Sequence, residues 1–430
     1  MQVSRRVFVL STAAGAGATL VVAPTLLSQR HDWKDVRALF NLDPAWTHAA
    51  LFYFASHPRP VREAIDEYRR RLDADPYTTV EHAMFTSDDQ SIPVRACNAI
   101  AKFIGGSGDD IALTSNTTTG LALVYHGLPL QSGDEILTTE HDHEVHHGSI
   151  ELAAKRSGAS VRRIALFPPH DARDVSVDGL VAKIRDAVRP NTKVLGITWV
   201  HSSSGVKLPL REIASAVKAV NPKTLIVVDG VHGFGATDGD IATSGIDAFS
   251  SGLHKWMFGP RGTGFVWAKP NVWAQMHPML PTFSSFELYM AWAEKRSPQG
   301  PPRANWFTPG GFQSYEHQWA IPSAFALHES IGHERIITRI AELNGIAKKA
   351  LASMKHVRLH TPMSPALSAG INCFEVDGVR GDDVVARLRK AKIIASTSPY
   401  AVSYPRLSFG IANDEKDVER AIDALDTMKA

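Results

Sequence analysis

Leu225-Ile226-Val227-Val228-Asp229-Gly230-Val231-His232 is the stretch whose reading decides the fold. Successive apolar residues without polar alternation read as a strand buried on both faces, the habit of parallel sheets covered by helices. The strand runs into Asp229, and open α/β sheets place their ligands at the carboxyl ends of strands. A carboxylate leaving an apolar strand needs a partner, and a protonated ring nitrogen would supply one. A helix cap or a structural hydrogen bond is the plain alternative.

Outward from this strand the pattern repeats. Compact β-rich runs fall at 110–114, 135–139, 161–165 and 194–200, and helical periodicity fills 60–72, 93–103, 121–128, 149–157, 177–188 and 210–220. Strands alternating with helices predict an α/β fold, a mainly parallel sheet sandwiched by helices. A Pro/Gly-rich stretch from Pro298 to Gly311 interrupts the pattern. Beyond it come one long helical pattern (314–352), short strands (357–360, 370–376, 407–410) and terminal helices (381–391, 414–428). These predict a large domain over 31–305, N-terminal arm included, and a smaller C-terminal α+β domain over 306–430.

Three more segments carry chemistry. Leu113-Thr114-Ser115-Asn116-Thr117-Thr118-Thr119-Gly120 is a hydroxyl-rich turn from strand to helix, able to offer N–H and O–H donors to a phosphate or simply to cap the helix. Phe249-Ser250-Ser251-Gly252-Leu253-His254-Lys255-Trp256 sets a lysine after a short strand, ahead of the glycine-rich Gly259-Pro260-Arg261-Gly262-Thr263-Gly264. Most lysines are solvated, but a desolvated amine here could serve as a nucleophile. Tyr404-Pro405-Arg406-Leu407-Ser408-Phe409-Gly410 places Arg406 at a strand start, where its planar fork could meet a carboxylate or lie on the surface.

The order of these segments resembles the class V aminotransferase family of fold-type I pyridoxal-phosphate enzymes, particularly its isopenicillin-N epimerase-like branch. Asp229-x-x-His232 followed by Ser251-x-x-His254-Lys255 carries the resemblance, which spans roughly residues 55 to 425. The resemblance implies pyridoxal 5'-phosphate held by Lys255, with Asp229 beside the ring nitrogen and His232 near the phenolic oxygen, joined there by Ser202 or Ser203. It assigns the phosphate to Thr117 and Thr118, helped by Ser251 and His254, and the substrate carboxylate to Arg406. A ring-stacking residue is implied at Glu140–Glu144, with His143 favoured over His141. It also implies a homodimer and a small amino-acid-like substrate that is transaminated or epimerised, or a lyase reaction on the same scaffold. Two segments depart from the family pattern, Phe307-Thr308-Pro309-Gly310-Gly311-Phe312 and Phe52-Tyr53-Phe54-Ala55-Ser56-His57-Pro58, and both bear on the substrate. Desulfuration is disfavoured, because the late cysteine it needs in a mobile loop is represented only by Cys373 inside an apparent strand.

A different class of enzyme is suggested by His143-Glu144-Val145-His146-His147, which fits the zinc-hydrolase pattern His-Glu-x-x-His. Gly148 follows where the helix should continue, no Gly/His continuation of the longer metzincin motif follows, and Glu151 is too close to be the distant third ligand. The alternative therefore rests on His143, Glu144 and His147 alone. A ligand-binding family member without activity is the third reading, opposed by the joint presence of Lys255, Asp229 and Arg406.

With 46 basic and 44 acidic residues and no long run of one sign, the chain has no electrostatic footprint for nucleic acid. Ser4-Arg5-Arg6-Val7-Phe8-Val9-Leu10 resembles a twin-arginine export signal, and an apolar, small-residue-rich stretch follows. Residues 1–30 are thus expected to address the protein to the twin-arginine machinery and the periplasm, cleaved or kept as an anchor. That route carries folded proteins, which suits an enzyme that acquires its cofactor first. Cys97 and Cys373 are the only cysteines; sequence leaves open whether they pair.

Overall fold

The structure is a computed structural model describing residues 32–86, 91–238 and 240–428. The expected export signal lies outside the described residues. Among those described, no helix is long and apolar enough to cross a membrane.

A seven-stranded sheet forms the large domain: β1 (Ile111–Thr114), β2 (Glu135–Thr139), β3 (Ser160–Ile164), β4 (Thr192–Thr198), β5 (Leu225–Asp229), β6 (Ala248–Gly252) and β7 (Gly264–Ala268), in the order β1-β7-β6-β5-β4-β2-β3. Pairings from β3 through β6 are parallel. Strand β7 alone runs the other way, antiparallel to both β6 and β1. It was not legible as a strand, because its Gly-x-Gly approach reads as turn. The sheet buries both faces: Ile226 and Val228 join one core, Leu225 and Val227 the other. Continuous apolar runs follow directly from that two-sided burial.

The helices that matter are α1 (Arg59–Ala74), α2 (Ile92–Ile104), α3 (Thr117–Gly127), α4 (Glu144–Ser157), α5 (Val177–Ala187), α6 (Leu210–Val220), α7 (Tyr315–Trp319), α8 (Ile321–Ile331), α9 (His333–Ser353), α10 (Gly381–Lys390) and α11 (Glu415–Asp426). Helix α3 lies close on the sheet because Gly120 bears no side chain; a Cβ there would sit 2.2 Å from the Ser250 hydroxyl. The pattern expected as one helix over 314–352 is three helices. It breaks at Ala320, just ahead of Pro322 in the first turn of α8, and again at Gly332 with φ +96°.

Helices α7 and α8 pack against α1 and α2, with Val61 and Ile65 meeting Ala320 and Ala324. A separate core begins only near Leu343 and joins α9, α10 and α11 to an antiparallel sheet of β8 (Val357–Leu359), β9 (Asn372–Val376), β10 (Ser396–Thr397) and β11 (Pro405–Leu407). By packing, then, residues 315–331 go with the large domain rather than the small one. The N-terminal arm does the converse, since Thr47–His48 pairs in parallel with Ile393–Ile394 of the small domain.

Candidate active site

Strands β1, β2, β4, β5 and β6 all point their carboxyl ends at one edge, and the residues just past them line a cleft of about 160 Å³. After β1 come Asn116, Thr117 and Thr118; after β2, His143 and Val145. Thr198 ends β4, with Ser202 just beyond it. Asp229 ends β5, with Val231 and His232 following; His254 and Lys255 follow β6. Tyr400 reaches in from the small domain.

Lys255 is the centre of this arrangement. Its Nζ lies 2.9 Å from Nε2 of buried His232. Burial lowers its ammonium to about 8; the Asp229 charge opposes that fall and Arg406 adds to it. His232 is pushed well below the usual imidazole range, by burial first and by the Lys255 and Arg406 charges after it, so it stays neutral. Its Nδ1 is buried with no partner.

Asp229 is 2% exposed, and its Oδ1 accepts the Val231 N–H at 3.1 Å. The turn between them demands glycine, since a Cβ on Gly230 would lie 1.8 Å from the Phe249 ring. That close approach brings Asp229 and His232 into one cleft.

Asn116 caps α3, its Oδ1 accepting from Thr119 N at 2.9 Å. The first-turn N–H groups of Thr117 and Thr118 have no helical acceptor, so they remain for an anion. Thr117 Oγ1 accepts from Gly252 N at 2.8 Å, which ties the turn to β6 and leaves the hydroxyl proton to donate. His254 lines the same cleft, and burial lowers its imidazole to about 4. Ser251 and Arg406 are the exceptions among the expected residues, neither of them lining the cleft. Ser251 is fully buried, and its hydroxyl donates to the Gly252 carbonyl at 2.9 Å. In a strand, successive side chains alternate, and this one faces inward.

The two open alternatives separate cleanly. His143 lines the cleft, whereas His141 stacks on Phe167 at 3.9 Å and accepts from Leu166 N at 3.1 Å. Ser202 lines the cleft and Ser203 does not. Arg406 is 2% exposed and lies 4.9 Å over the Phe52 ring. It donates to Ser202 O at 3.0 Å, Thr397 O at 2.8 Å and Ser396 Oγ at 3.2 Å. These acceptors fix the guanidinium and leave an N–H on each terminal nitrogen, the fork a carboxylate would take.

The zinc arrangement does not form. His143 is the cap outside α4, with Nδ1 accepting from Val145 N, so it does not share a helical face with His147. His147 is turned to the Thr139 carbonyl, 2.7 Å from its Nε2. Among the described residues no group of three His, Cys, Asp or Glu side chains is placed to hold a metal. The cysteines also stand apart: Cys97 Sγ turns to the Ile111 carbonyl at 3.7 Å, while Cys373 is buried in β9 beside Arg406 of β11, and neither is in a disulfide.

Sequence reasoning missed Tyr400, whose hydroxyl is 2.8 Å from Ser202 Oγ. It missed a buried cluster too. Tyr125 Oη meets His146 Nε2 at 2.7 Å, and Asp142 accepts from Thr138 and Thr139 at 2.6–3.0 Å. Burial works against the Asp142 charge, but the hydrogen bonds from His146 and Thr139 and the His146 charge hold its carboxyl below the usual range. Tyr400 sits in a short loop with no periodic signal, and only the fold brings it across.

Helix N-terminus, buried carboxylate and poised lysine together fit pyridoxal phosphate, with the unpartnered His232 Nδ1 as a further polar contact. Fold and cleft define the class: a fold-type I pyridoxal-phosphate enzyme. The sequence profile described as Aminotransferase class-V matches residues 54–421, and the chain belongs to that family. It is 26% identical over 416 residues to isopenicillin N epimerase of Streptomyces clavuligerus, covering 92% of this chain and 98% of that one. It is 24% identical over 416 residues to a cysteine desulfurase of Haloferax volcanii, covering 93% and 91%. In fold it matches a C-DES variant with glycine covalently linked to its PLP cofactor, at TM-score 0.81 and 21% identity over 93% of this chain and all of that one.

One prediction arises directly. Capture of pyridoxal phosphate by the apo-protein needs the neutral Lys255 amine, so its rate should rise roughly tenfold per pH unit up to about 8 and then level. Stopped-flow absorbance across pH 6–11 checks this. A rate still climbing towards the pKa of an ordinary lysine would show that the amine is not desolvated.

Proposed function

We propose that the chain transfers a proton at the amino-bearing carbon of a small amino acid or amine, as an epimerase or aminotransferase. The reading rests above all on one observation: a desolvated Lys255 amine in the same cleft as the Asp229 carboxylate. Pyridoxal phosphate, when bound, supplies an aldehyde that condenses with amines and a conjugated ring that accepts an electron pair. Lys255 would hold the aldehyde and then carry the proton. Asp229 would keep the ring nitrogen protonated, which makes that ring a better acceptor. Thr117, Thr118 and His254 would seat the phosphate, His143 would lie against the ring, and Arg406 would orient the substrate through its carboxylate.

Against sulfur abstraction stands the state of the cysteines. Burial raises both thiols to about 12, and neither lines the cleft. The full-length similarity to an isopenicillin N epimerase supports proton transfer, while the similarity at like coverage to a cysteine desulfurase keeps a lyase as the second reading. We further propose export by the twin-arginine route, on the Ser4–Leu10 motif, and a homodimer, the habit of the fold-type I class.

The decisive experiment incubates holoenzyme with the proteinogenic L-amino acids in D2O. Deuterium at Cα, with the D-enantiomer or a 2-oxo acid as product, is the expected result. Sulfide from cysteine, or a β-eliminated product, without Cα exchange in any returned amino acid would replace this reading with a lyase.

A further inference from the structure

We propose that Tyr400 is the second acid–base group of this site, exchanging a proton with the substrate carbon from a different wall of the cleft than Lys255. The inference rests on the reading of the reaction as proton transfer at Cα.

The frame comes first. Tyr400 sits at the tip of the hairpin joining β10 to β11, and Arg406 lies on β11 itself. Ser398 ties the loop shut. Its carbonyl accepts from Tyr400 N at 3.0 Å and from Ser403 Oγ at 2.5 Å, its N–H donates to Tyr404 O at 2.9 Å, and its Oγ accepts from Tyr404 N at 2.9 Å. One hydrogen-bonded hairpin thus carries both the Arg406 fork and the Tyr400 phenol. Both engage the same residue of the large domain, since Arg406 donates to the Ser202 carbonyl while Tyr400 pairs with the Ser202 hydroxyl. A substrate held by Arg406 is therefore held beside Tyr400.

The walls differ. Lys255 is fixed by His232, on the turns after β6 and β5. Tyr400 is fixed by Ser202 and stands edge-on to His143, ring centroids 5.9 Å apart at 89°, on the turns after β4 and β2. Protonation states are complementary as well. Burial raises the Tyr400 phenol, the Ser202 hydrogen bond and the Arg406 charge only partly offsetting this, so it keeps its proton at neutral pH. Lys255 gives its proton up far more readily. Two groups driven apart in this way are suited to act as acid and base.

The step balances without an oxidant. Lys255 Nζ takes the Cα proton and leaves the C–H electron pair with the substrate, where bound pyridoxal phosphate would delocalise it. The Tyr400 O–H then breaks as its proton joins that same pair in a new C–H bond on the other face, inverting the carbon. The phenolate regains a proton, and the ammonium loses one, through water, with Ser202 the adjoining hydroxyl.

The test uses Tyr400→Phe, which keeps the ring and its packing. Holoenzyme and variant are incubated with the L-amino acid panel in D2O, and Cα deuterium and enantiomer ratio are read separately. Inversion should fall by about 100-fold, while deuterium wash-in with retained configuration, which Lys255 can perform alone, should fall by less than about fivefold. A readout independent of turnover is the rise in Tm on adding pyridoxal phosphate, which should persist in the variant. Inversion at the wild-type rate in Tyr400→Phe overturns the inference. So does a variant that no longer binds the cofactor, or a wild type that washes in deuterium without inverting. No wash-in with any amino acid would overturn the underlying reading, and this inference with it.

Discussion

Lys255→Ala reconstituted with pyridoxal phosphate will lack the visible absorbance band that the parent protein shows and that borohydride abolishes. After reduction, cofactor will stay with the denatured parent protein and not with the variant. Turnover should fall by at least about 10⁴-fold, since the same amine is proposed to hold the cofactor and move the proton. The fold should not suffer. Among the described residues Lys255 Nζ bonds only His232, and its ammonium is depressed from 10.5 to about 8 by burial. Between those values the unfolded chain binds the proton more tightly than the folded one. The resulting penalty on folding is complete below about pH 8 and fades as pH rises through 10.5. Removing the amine removes the penalty, so Tm at pH 7 should hold or rise. A variant that melts far earlier, or one that keeps the borohydride-sensitive band, would remove Lys255 from the centre of the site.

Asp229→Asn isolates charge from shape. The asparagine Oδ1 can still accept the Val231 N–H that Asp229 accepts at 3.1 Å, so the end of β5 should stay as it is. What goes is the fixed negative charge that would keep a ring nitrogen protonated. The variant should keep its visible band while turnover falls by about 10³-fold, the scale on which preorganised electrostatics act. A second readout carries a definite sign. Asp229 raises the Lys255 pKa, so its neutralisation should shift the midpoint of cofactor capture to a pH below about 8. Turnover near the parent's, with an unshifted capture curve, would mean that Asp229 only caps its turn.

The large sheet and its cofactor were readable because burial on both faces leaves an unmistakable mark. Strand β5 is four apolar residues followed by an acid, and no polar residue interrupts it. The order of Thr117, Asp229, His232 and Lys255 along the chain held the rest, since each lies at or just past the carboxyl end of a strand that opens on the same edge. Strand β7 was not readable, because Gly262 does lie in a turn, at φ +72°, while Gly264 two residues on already begins the strand in close approach to β1 and β6. The helical run after Ser314 hid its breaks, for helical periodicity passes through Ala320 and Gly332 while the helical backbone does not.

Local pattern alone determined that this chain builds a mainly parallel α/β sheet, ends a buried strand on a carboxylate and sets a lysine beyond the next one. It did so because periodicity and side-chain chemistry act over a few neighbouring residues. Which histidine turns to the cleft, that Ser251 points away and that Tyr400 crosses from the small domain to meet Ser202, 198 residues away in sequence, were settled only by the folded chain. Those choices depend on the direction of a side chain and on contacts between distant segments, and packing alone fixes both.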